Sequence, residues 1–400
     1  MKAVRLEVPD RVPFMPAFNF FLAKYGGITC EEAMYDYEKL AAAATKTVLD
    51  FEPDIFNNPF GGVALGPLLE ILGCVYLTWP GGGGLPPSQS YQFVEKEYMG
   101  AEEYEDLLFD PTGFMLRKFL PRVYGALGGL KEIPSIPSLY YTRFLTGTAA
   151  FADPKVSEAL EVLVKAGVES KNMLAKAKAL ADAMEDMGFP SLSGGVAYAP
   201  FDYIGDLLRG TRGVMIDMYR NPDKLLETME KLTPFILEGA IRPARLSGGS
   251  FIFIPLHKGL DGFMSLDQFK TFFWPSLKKV MVSLIEEGLI PMVLWEGDCT
   301  SRLETIGDIP KGKAVYWFER TDIFRAKEVL GDRICIRGNV PATMLCVGSP
   351  GEVEDYCKKL IDLVGKGGGF ILDGGIGIPD EARPENVRVM ADTIKKYGAY

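Results

Sequence analysis

Apolar and polar positions follow a repeating order in the second half of the chain. Five short apolar runs occur there, and each leads into a stretch with the apolar spacing of an amphipathic helix. The predicted strands are Phe251–Leu256, Ile290–Trp295, Ala314–Phe318, Ile334–Arg337 and Phe370–Leu372. The predicted helices are Leu266–Glu287, Ser301–Ile306, Asp322–Leu330, Pro350–Val364 and Pro384–Lys396. Strict alternation of this kind predicts βα units around a parallel sheet.

Capping residues predict three longer helices upstream, at 29–51, 153–187 and 221–247. The first opens with Thr29 and has Glu32 three residues later, which is the spacing of a capping box. The other two open with Asp153-Pro154 and Asn221-Pro222, where an N-cap residue precedes a proline in the first helical turn.

These elements predict an α/β fold, a (β/α)8 TIM barrel, since the five C-terminal units leave room upstream for three more. Residues 1–150 are irregular, with a glycine tract at 81–84, and are expected to supply the first barrel elements and loops that cover the barrel. Residues 151–400 are expected to form the remainder, in one structural domain overall. A nucleotide-binding fold lacks its signature, because no GxGxxG or GxxxxGK[ST] follows a predicted strand.

The composition indicates in which cellular compartment the protein is expected and which classes of partner are not expected. The chain has 53 acidic and 43 basic residues, a net charge of −10, so neither nucleic acid nor an anionic membrane is an expected partner. No apolar run approaches the ~18 residues of a membrane span. Charges interrupt the start of the chain where a signal peptide would be apolar, and six scattered cysteines lack a CxxC pair. We therefore expect a cytoplasmic protein.

Polar residues follow all five C-terminal strands, where the chemistry of a barrel lies. They are His257, Glu296 with Asp298, Glu319, Arg337 with Asn339, and Asp373. The aromatic residues Trp295, Trp317 and Tyr203 are expected to wall a pocket beside them. Because His257 is the single histidine of the chain, a site with several histidines is excluded.

Each candidate also has a structural interpretation. The carboxylate of Asp298 could cap the helix that begins near Thr300. Arg337 could pair with an acid as part of the scaffold, and Asp373 could bind the backbone amides of the glycine loop that follows it. His257 could be a capping or core histidine. The sequence leaves these alternatives open.

Three motifs resemble the uroporphyrinogen decarboxylase superfamily, which includes corrinoid- and coenzyme M-linked methyltransferases. They are Glu296-Gly297-Asp298-Cys299-Thr300, Arg337-Gly338-Asn339-Val340-Pro341, and the glycine-rich 368–379 followed by Pro384-Glu385-Asn386-Val387. The resemblance covers most of the chain and is strongest after residue 248. It implies a (β/α)8 barrel with the site at the strand ends.

Departures from the family pattern bear on the reaction. The arginine-rich motif by which the decarboxylases grip substrate carboxylates falls near Phe18-Asn19-Phe20-Phe21, and their catalytic aspartate falls in the acid-free stretch 56–59. Asn58, within that stretch, is a candidate substrate-binding residue. Their late histidine falls on Ile376. Porphyrin decarboxylation is therefore not expected, because a macrocycle with many carboxylates needs cationic partners.

The thiol-methylating branch holds zinc at positions that fall here on Leu294, Glu296 and Ile376, and neither leucine nor isoleucine binds zinc. A different, oxygen-rich zinc site stays open, which would suit Lewis-acid activation of an ether oxygen. Its candidate ligands are His257, Glu296, Glu319 and Asp373.

The first hypothesis is a methyltransferase that moves a methyl group from a small methoxy donor, specifically an aromatic one, to a corrinoid protein. Glu296, His257 and Asp298 are the candidate catalytic residues. The candidate donor-binding residues are Arg337, Asn339, Trp295, Trp317, Tyr203 and Asn58. The corrinoid would be carried by the partner, since the chain lacks a DxHxxG motif.

The alternatives are a decarboxylase of a porphyrinogen-like or aromatic carboxylate, anchored by Arg337, and a non-catalytic ligand-binding member of the family. The sequence does not name the methyl donor, and it leaves a homodimer open.

Overall fold

A parallel sheet of six strands forms most of a barrel. The structure is a computed structural model that describes residues 1–82, 84–192 and 194–400, so Gly83 of the glycine tract lies outside the described residues. Each strand pairs in parallel with the next one along the chain. The strands are Gly194–Val196, Phe251–Leu256, Ile290–Trp295, Val315–Phe318, Cys335–Val340 and Phe370–Gly374.

Two N-terminal segments close this sheet into a ring. Phe14 forms a parallel bridge with Leu372 of the last strand, and Phe56 forms one with Ser191, just before the first strand of the sheet. The two segments join each other, because the N–H of Asp54 donates to the carbonyl of Phe14 at 2.8 Å. The six strands and these two segments occupy the eight positions of a (β/α)8 barrel, which confirms the predicted fold.

Helices follow the barrel strands and surround them. After the Phe56 segment, a long helical region runs to the third barrel strand, and it includes a small antiparallel hairpin of Leu77–Thr78 with Gln92–Phe93. The α-helices up to that strand are Phe21–Gly26, Cys30–Tyr35, Tyr37–Phe51, Gly66–Leu72, Tyr104–Phe109, Pro111–Phe114, Leu120–Val123, Thr142–Gly147 and Pro154–Asp186. Those after it are Pro200–Asp202, Gly210–Arg220, Pro222–Ser247, Leu266–Gln268, Trp274–Glu286, Leu303–Ile306, Ile323–Leu330, Ala342–Val347, Pro350–Lys359 and Pro384–Tyr397.

In the described part of the chain, four π-helical segments interrupt or extend these helices, at Met115–Phe119, Tyr203–Leu208, Phe269–Phe273 and Leu360–Gly365. The predicted capping box of Thr29 and Glu32 is present. The predicted helix 29–51 is nevertheless two helices. Asp36 ends the first and caps the second by accepting from the N–H groups of Glu38 and Lys39.

Side chains alternate between the inside of the barrel and the helical layer. Along Ile290–Trp295, Met292 and Leu294 pack inside the barrel, whereas Val293 and Trp295 join the large cluster under the helices. Met292 belongs to one layer of the interior, and Leu294 packs with Ala17 and Trp317 in the next layer towards the carboxyl ends of the strands. The interior is therefore a packed core that leaves the carboxyl ends of the strands as the mouth.

The N-terminal half supplies two barrel positions and helices that pack on the long helix Pro154–Asp186. The division at residue 150 stays a prediction. Among the described residues, no helix combines the length and the apolarity needed to cross a bilayer.

Candidate active site

The candidate site begins with two aspartates that follow the third barrel strand. Asp202 ends the short helix Pro200–Asp202, and Asp206 lies four residues later in the π-helical segment. Asp202 is buried, and its carboxylate accepts the backbone N–H groups of His257 and Lys258 at 2.9 and 3.0 Å. Asp202 therefore holds the end of the fourth strand in place.

Asp206 binds the two side chains that this strand end presents. Its Oδ2 lies 2.7 Å from Nδ1 of His257, and its Oδ1 accepts from the ammonium group of Lys258. On the other side of the imidazole, Nε2 lies 3.5 Å from Oε1 of Glu296, at the end of the fifth strand. His257 is thus placed between two carboxylates, with 40% of its side chain exposed at the mouth.

The carboxylates decide the charge of this cluster. Burial alone would lower the pKa of His257, but Asp206 and Glu296 outweigh it and raise the pKa to about 10. Burial would raise the pKa of Asp206, but His257 and Lys258 lower it. Burial and the charge of Asp206 raise the pKa of Asp202 to about 7. At neutral pH the site therefore presents an imidazolium, a proton donor.

Glu319 links this cluster to a cleft at the ends of the last three strands. Its Oε2 accepts the N–H of Gly297, the residue after Glu296, at 2.5 Å. Asn339 closes the cleft floor by donating from Nδ2 to the carbonyls of Glu319 and Thr321, while its Oδ1 accepts from the hydroxyl of Tyr356 at 3.0 Å. The cleft has a volume of about 420 Å³.

Below the mouth, Arg337 and Asp373 form a buried ion pair at 2.7 Å. The guanidinium also donates to the carbonyl of Met15 at 2.9 Å and lies 3.8 Å from the ring centre of Trp317. Asp373 additionally accepts the N–H of Gly374. The two groups satisfy each other inside the barrel, and the side chain of Arg337 is 1% exposed.

These contacts correct several predicted roles. Arg337 cannot orient a donor or anchor a carboxylate at the mouth, because its charge is paired and buried. Trp295 does not wall a pocket: it is buried in the helical layer against Trp274 and Tyr316. Asp298 caps the turn at Thr300 instead of joining His257.

The remaining predicted donor-binding residues lie in different places. Trp317 forms part of the packed interior, and its indole N–H donates to the carbonyl of Gly374. Tyr203 is half-buried beside Tyr198. The amide of Asn58 is occupied in capping the turn at Phe60 and in donating to Ala177, a use that corrects its predicted donor-binding role.

The four candidate zinc ligands are not brought together as one set. Asp373 is committed to Arg337, and Glu319 is committed to the N–H of Gly297. Within the described part of the chain, no group of three or more His, Cys, Asp or Glu side chains has an arrangement that could hold a metal ion. The residues therefore do not fit the predicted zinc site.

Sequence reasoning missed Asp202, Asp206, Lys258 and Tyr356. For the aspartates a signal was available. The two carboxylates are four residues apart, so that one helical turn places both on the same side of their segment.

The second half of the chain matches a known family model. Residues 149–397 match the model described as uroporphyrinogen decarboxylase (URO-D). Relatives include the uroporphyrinogen decarboxylase of Chlorobium luteolum, 25% identical over 187 residues, which are 46% of this chain and 52% of that protein. The decarboxylase of Pseudoalteromonas atlantica is 28% identical over 142 residues, 34% of this chain and 39% of that protein. The chain thus spans about half the length of the first of these curated relatives.

A solved structure, described as a methyltransferase from Methanosarcina mazei, resembles the whole chain. The TM-score is 0.62 with 16% sequence identity, and the alignment covers 99% of this chain and 97% of that one. At this identity the likeness concerns the fold, and it agrees with the closed barrel.

Proposed function

The chain belongs to the uroporphyrinogen decarboxylase family, and we propose that its barrel mouth transfers a methyl group from a small aromatic methyl ether to the corrinoid of a partner protein. The observation that carries the proposal is the position of His257, whose ring lies between the carboxylates of Asp206 and Glu296 and is exposed at the strand ends. The structural neighbour from Methanosarcina mazei is described as a methyltransferase and has the same fold, which supports the reaction class.

The proposed step needs a proton. The bond between the methyl carbon and the ether oxygen breaks, the oxygen keeps the electron pair, and the reduced corrinoid supplies the pair for the new bond to carbon. The departing phenolate oxygen then takes a proton from Nε2 of His257, whose Nδ1 is held by Asp206. Stabilising charge that develops on a leaving oxygen is the task of a positioned acid.

The acidity of the leaving group favours an aromatic ether. A phenol has a pKa of ~10, so a phenolate is a better leaving group than the alkoxide of an aliphatic ether. The pKa of His257 is raised to about 10, so the ring carries a proton at neutral pH that it can give to the departing oxygen. Glu296 holds the imidazole edge that faces the mouth and keeps it charged.

The charges at the mouth argue against a porphyrinogen substrate. A macrocycle with many carboxylates would need several free cations around it. Here the ammonium of Lys258 is bound to Asp206 and is 7% exposed, and Arg337 is buried below the mouth.

The test is methyl transfer to cob(I)alamin from a panel of methoxyarenes, measured by the change in absorbance of the corrinoid. Replacing His257 with Gln is expected to lower the rate about 100-fold or more, as for loss of a general acid. Glu296→Gln should lower it less. The control is Asp308→Asn, which removes an exposed carboxylate before the sixth strand, at the opposite end of the barrel. No transfer from any methoxyarene, or full activity of His257→Gln, would contradict the proposal.

The second candidate is decarboxylation of an aromatic carboxylate, favoured by the family match and by the names of its relatives. In that reaction His257 would protonate the carbon that loses carbon dioxide. Release of carbon dioxide without a corrinoid distinguishes it from methyl transfer. Ligand binding without either product would indicate the non-catalytic alternative.

A further inference from the structure

The cleft beside the cluster of His257 and Glu296 has the walls of a site for a flat ring. Its apolar surface comes from Phe324, Pro341 and Ile376, and the hydroxyl of Tyr356 is committed to Asn339. The ring of Phe324 is fixed from another side by the ammonium of Lys359, 4.2 Å from its centre. The volume of about 420 Å³ lies within the usual range for small-molecule sites.

Arg320 places a cation at the lip of this cleft. Its side chain is 71% exposed, and its nearest carboxylate, that of Glu319, is 3.7 Å away, too far for a hydrogen bond. The neighbouring acid Asp322 also lines the cleft, and one of its carboxylate oxygens caps the following helix by accepting from the N–H groups of Phe324 and Arg325. The guanidinium therefore keeps its donors for a ligand.

Glu319 lies beside this guanidinium. One of its carboxylate oxygens accepts the N–H of Gly297, and the other lies 3.7 Å from Nε of Arg320, which is within ion-pair distance. The charge of Glu319 is therefore partly balanced by its own neighbours. A ligand with an apolar ring and one anionic group could contact the apolar surface of the cleft and the guanidinium of Arg320 together.

We infer that this cleft binds an aromatic carboxylate, with Arg320 pairing to the carboxylate and the ring held against Phe324 and Ile376. The cleft and its ligand class follow from these residues alone. The identity of that ligand as the methyl donor, a methyl ether with a carboxylate on its ring, rests on the proposed function.

Calorimetric titration of the full chain tests the site without turnover. The probes are 4-methoxybenzoate, benzoate and the uncharged 4-methoxybenzamide. The wild type is expected to bind both acids more tightly than the amide, by about two- to fivefold, the effect of an ion pair that is largely exposed to solvent. Arg320→Gln should remove this preference, and Arg320→Lys should keep part of it.

The matched control is Arg325→Gln. Arg325 lies five residues later on the adjacent helix and is paired with Glu304 and Glu328 outside the cleft. Its loss should leave the preference unchanged. A second variant, Ala342→Phe, fills the cleft and should weaken all three probes. The inference would be overturned by any of three results. These are equal binding of acid and amide to the wild type, a preference for the acids that survives Arg320→Gln, and binding of the probes to Ala342→Phe as tightly as to the wild type.

The two proposals can fail separately. Methyl transfer from uncharged methoxyarenes, with no effect of Arg320→Gln on acid binding or turnover, would leave the proposed function and overturn this inference. Arg320-dependent binding of benzoate without methyl transfer from any methoxyarene would support the cleft and contradict the proposed function.

Discussion

His257 shows how neighbouring groups determine what one side chain can do. A free imidazole is mostly neutral at physiological pH, and burial makes the charged form less favourable. Here Asp206 contacts one ring nitrogen and Glu296 faces the other, so the charged form prevails. The backbone N–H of the same residue is held by Asp202, which fixes the position of the ring.

The first prediction uses the fact that the chain has one histidine. An NMR titration of the histidine ring should show a single group that stays protonated through neutral pH and titrates near a pKa of about 10. Asp206→Asn should move this pKa towards 6.5, the pKa of an unperturbed histidine. Glu319→Gln, which leaves both partners of the ring in place, serves as the control. A wild-type pKa near 6.5 would contradict the electrostatic account.

The second prediction concerns stability and pH. Since the folded pKa of His257 is raised, its contribution to stability is complete below the unfolded pKa of 6.5 and is lost as the pH rises through about 10. The difference in unfolding free energy between wild type and His257→Gln should therefore shrink from pH 6 to pH 10. Urea unfolding at several pH values measures it, and a difference that grows with pH would show the opposite sign.

Two residues of the candidate site, His257 and Glu296, could be predicted from the sequence because each directly follows a long apolar strand. Trp295 was misplaced, although strand alternation already forbids it to face the same side as Glu296. Asp202 and Asp206 were missed because the strand before them, Gly194–Val196, is too short and glycine-rich to be recognised.

At the scale of elements, the five C-terminal strands could be predicted because each contains a run of apolar residues. Four of them are buried along their whole length, whereas Phe251–Leu256 alternates between half-buried and buried residues. The first two barrel positions were not located, because each makes a single bridge, at Phe14 and Phe56. Their place in the barrel comes from pairing with residues far away in the sequence, and a local apolar pattern cannot predict such pairing.

Two of the π-helical segments have a cause in the sequence. Met115–Phe119 is followed by Pro121, and Phe269–Phe273 is followed by Pro275. A proline cannot donate to the carbonyl four residues earlier, which here lies within the π-helical segment in both cases. The wider turn accommodates this missing hydrogen bond, so the helix predicted at 266–287 continues through it.

The third prediction concerns Asn386, which joins two helices. Its buried side-chain amide donates to the carbonyls of Met344, Leu345 and Gly348 at the end of the helix Ala342–Val347. Asn386→Ala leaves these carbonyls without that donor, and we expect a loss of about 1–3 kcal/mol in unfolding free energy. Asn172→Ala, on an exposed helix face, should change it by less than about 0.5 kcal/mol. An equal effect of the two changes in urea unfolding would contradict this role.

At the scale of the whole molecule, the pair of Arg337 and Asp373 joins the last strands of the barrel to the first. It connects the seventh and eighth strands, and through the carbonyl of Met15 it reaches the first barrel position. Burial raises the pKa of Asp373 to about 6 despite the nearby guanidinium, and burial also lowers the pKa of Arg337. Both shifts favour the neutral forms, so the cost of burying these charges exceeds their attraction.

The fourth prediction follows from that balance. Asp373→Ala leaves the charge of Arg337 buried without its partner, and we expect a loss of about 3–5 kcal/mol in unfolding free energy. The double change Arg337→Met with Asp373→Leu removes both charges and keeps apolar volume inside the barrel. Its loss should be smaller than that of Asp373→Ala alone, because the remaining cost is that of the carbonyl of Met15 and the N–H of Gly374, which lose their side-chain partners but leave no unpaired charge. Urea unfolding followed by circular dichroism compares the three proteins. If the double variant were the least stable, the pair would be a net source of barrel stability, and the balance drawn from the two pKa shifts would be wrong.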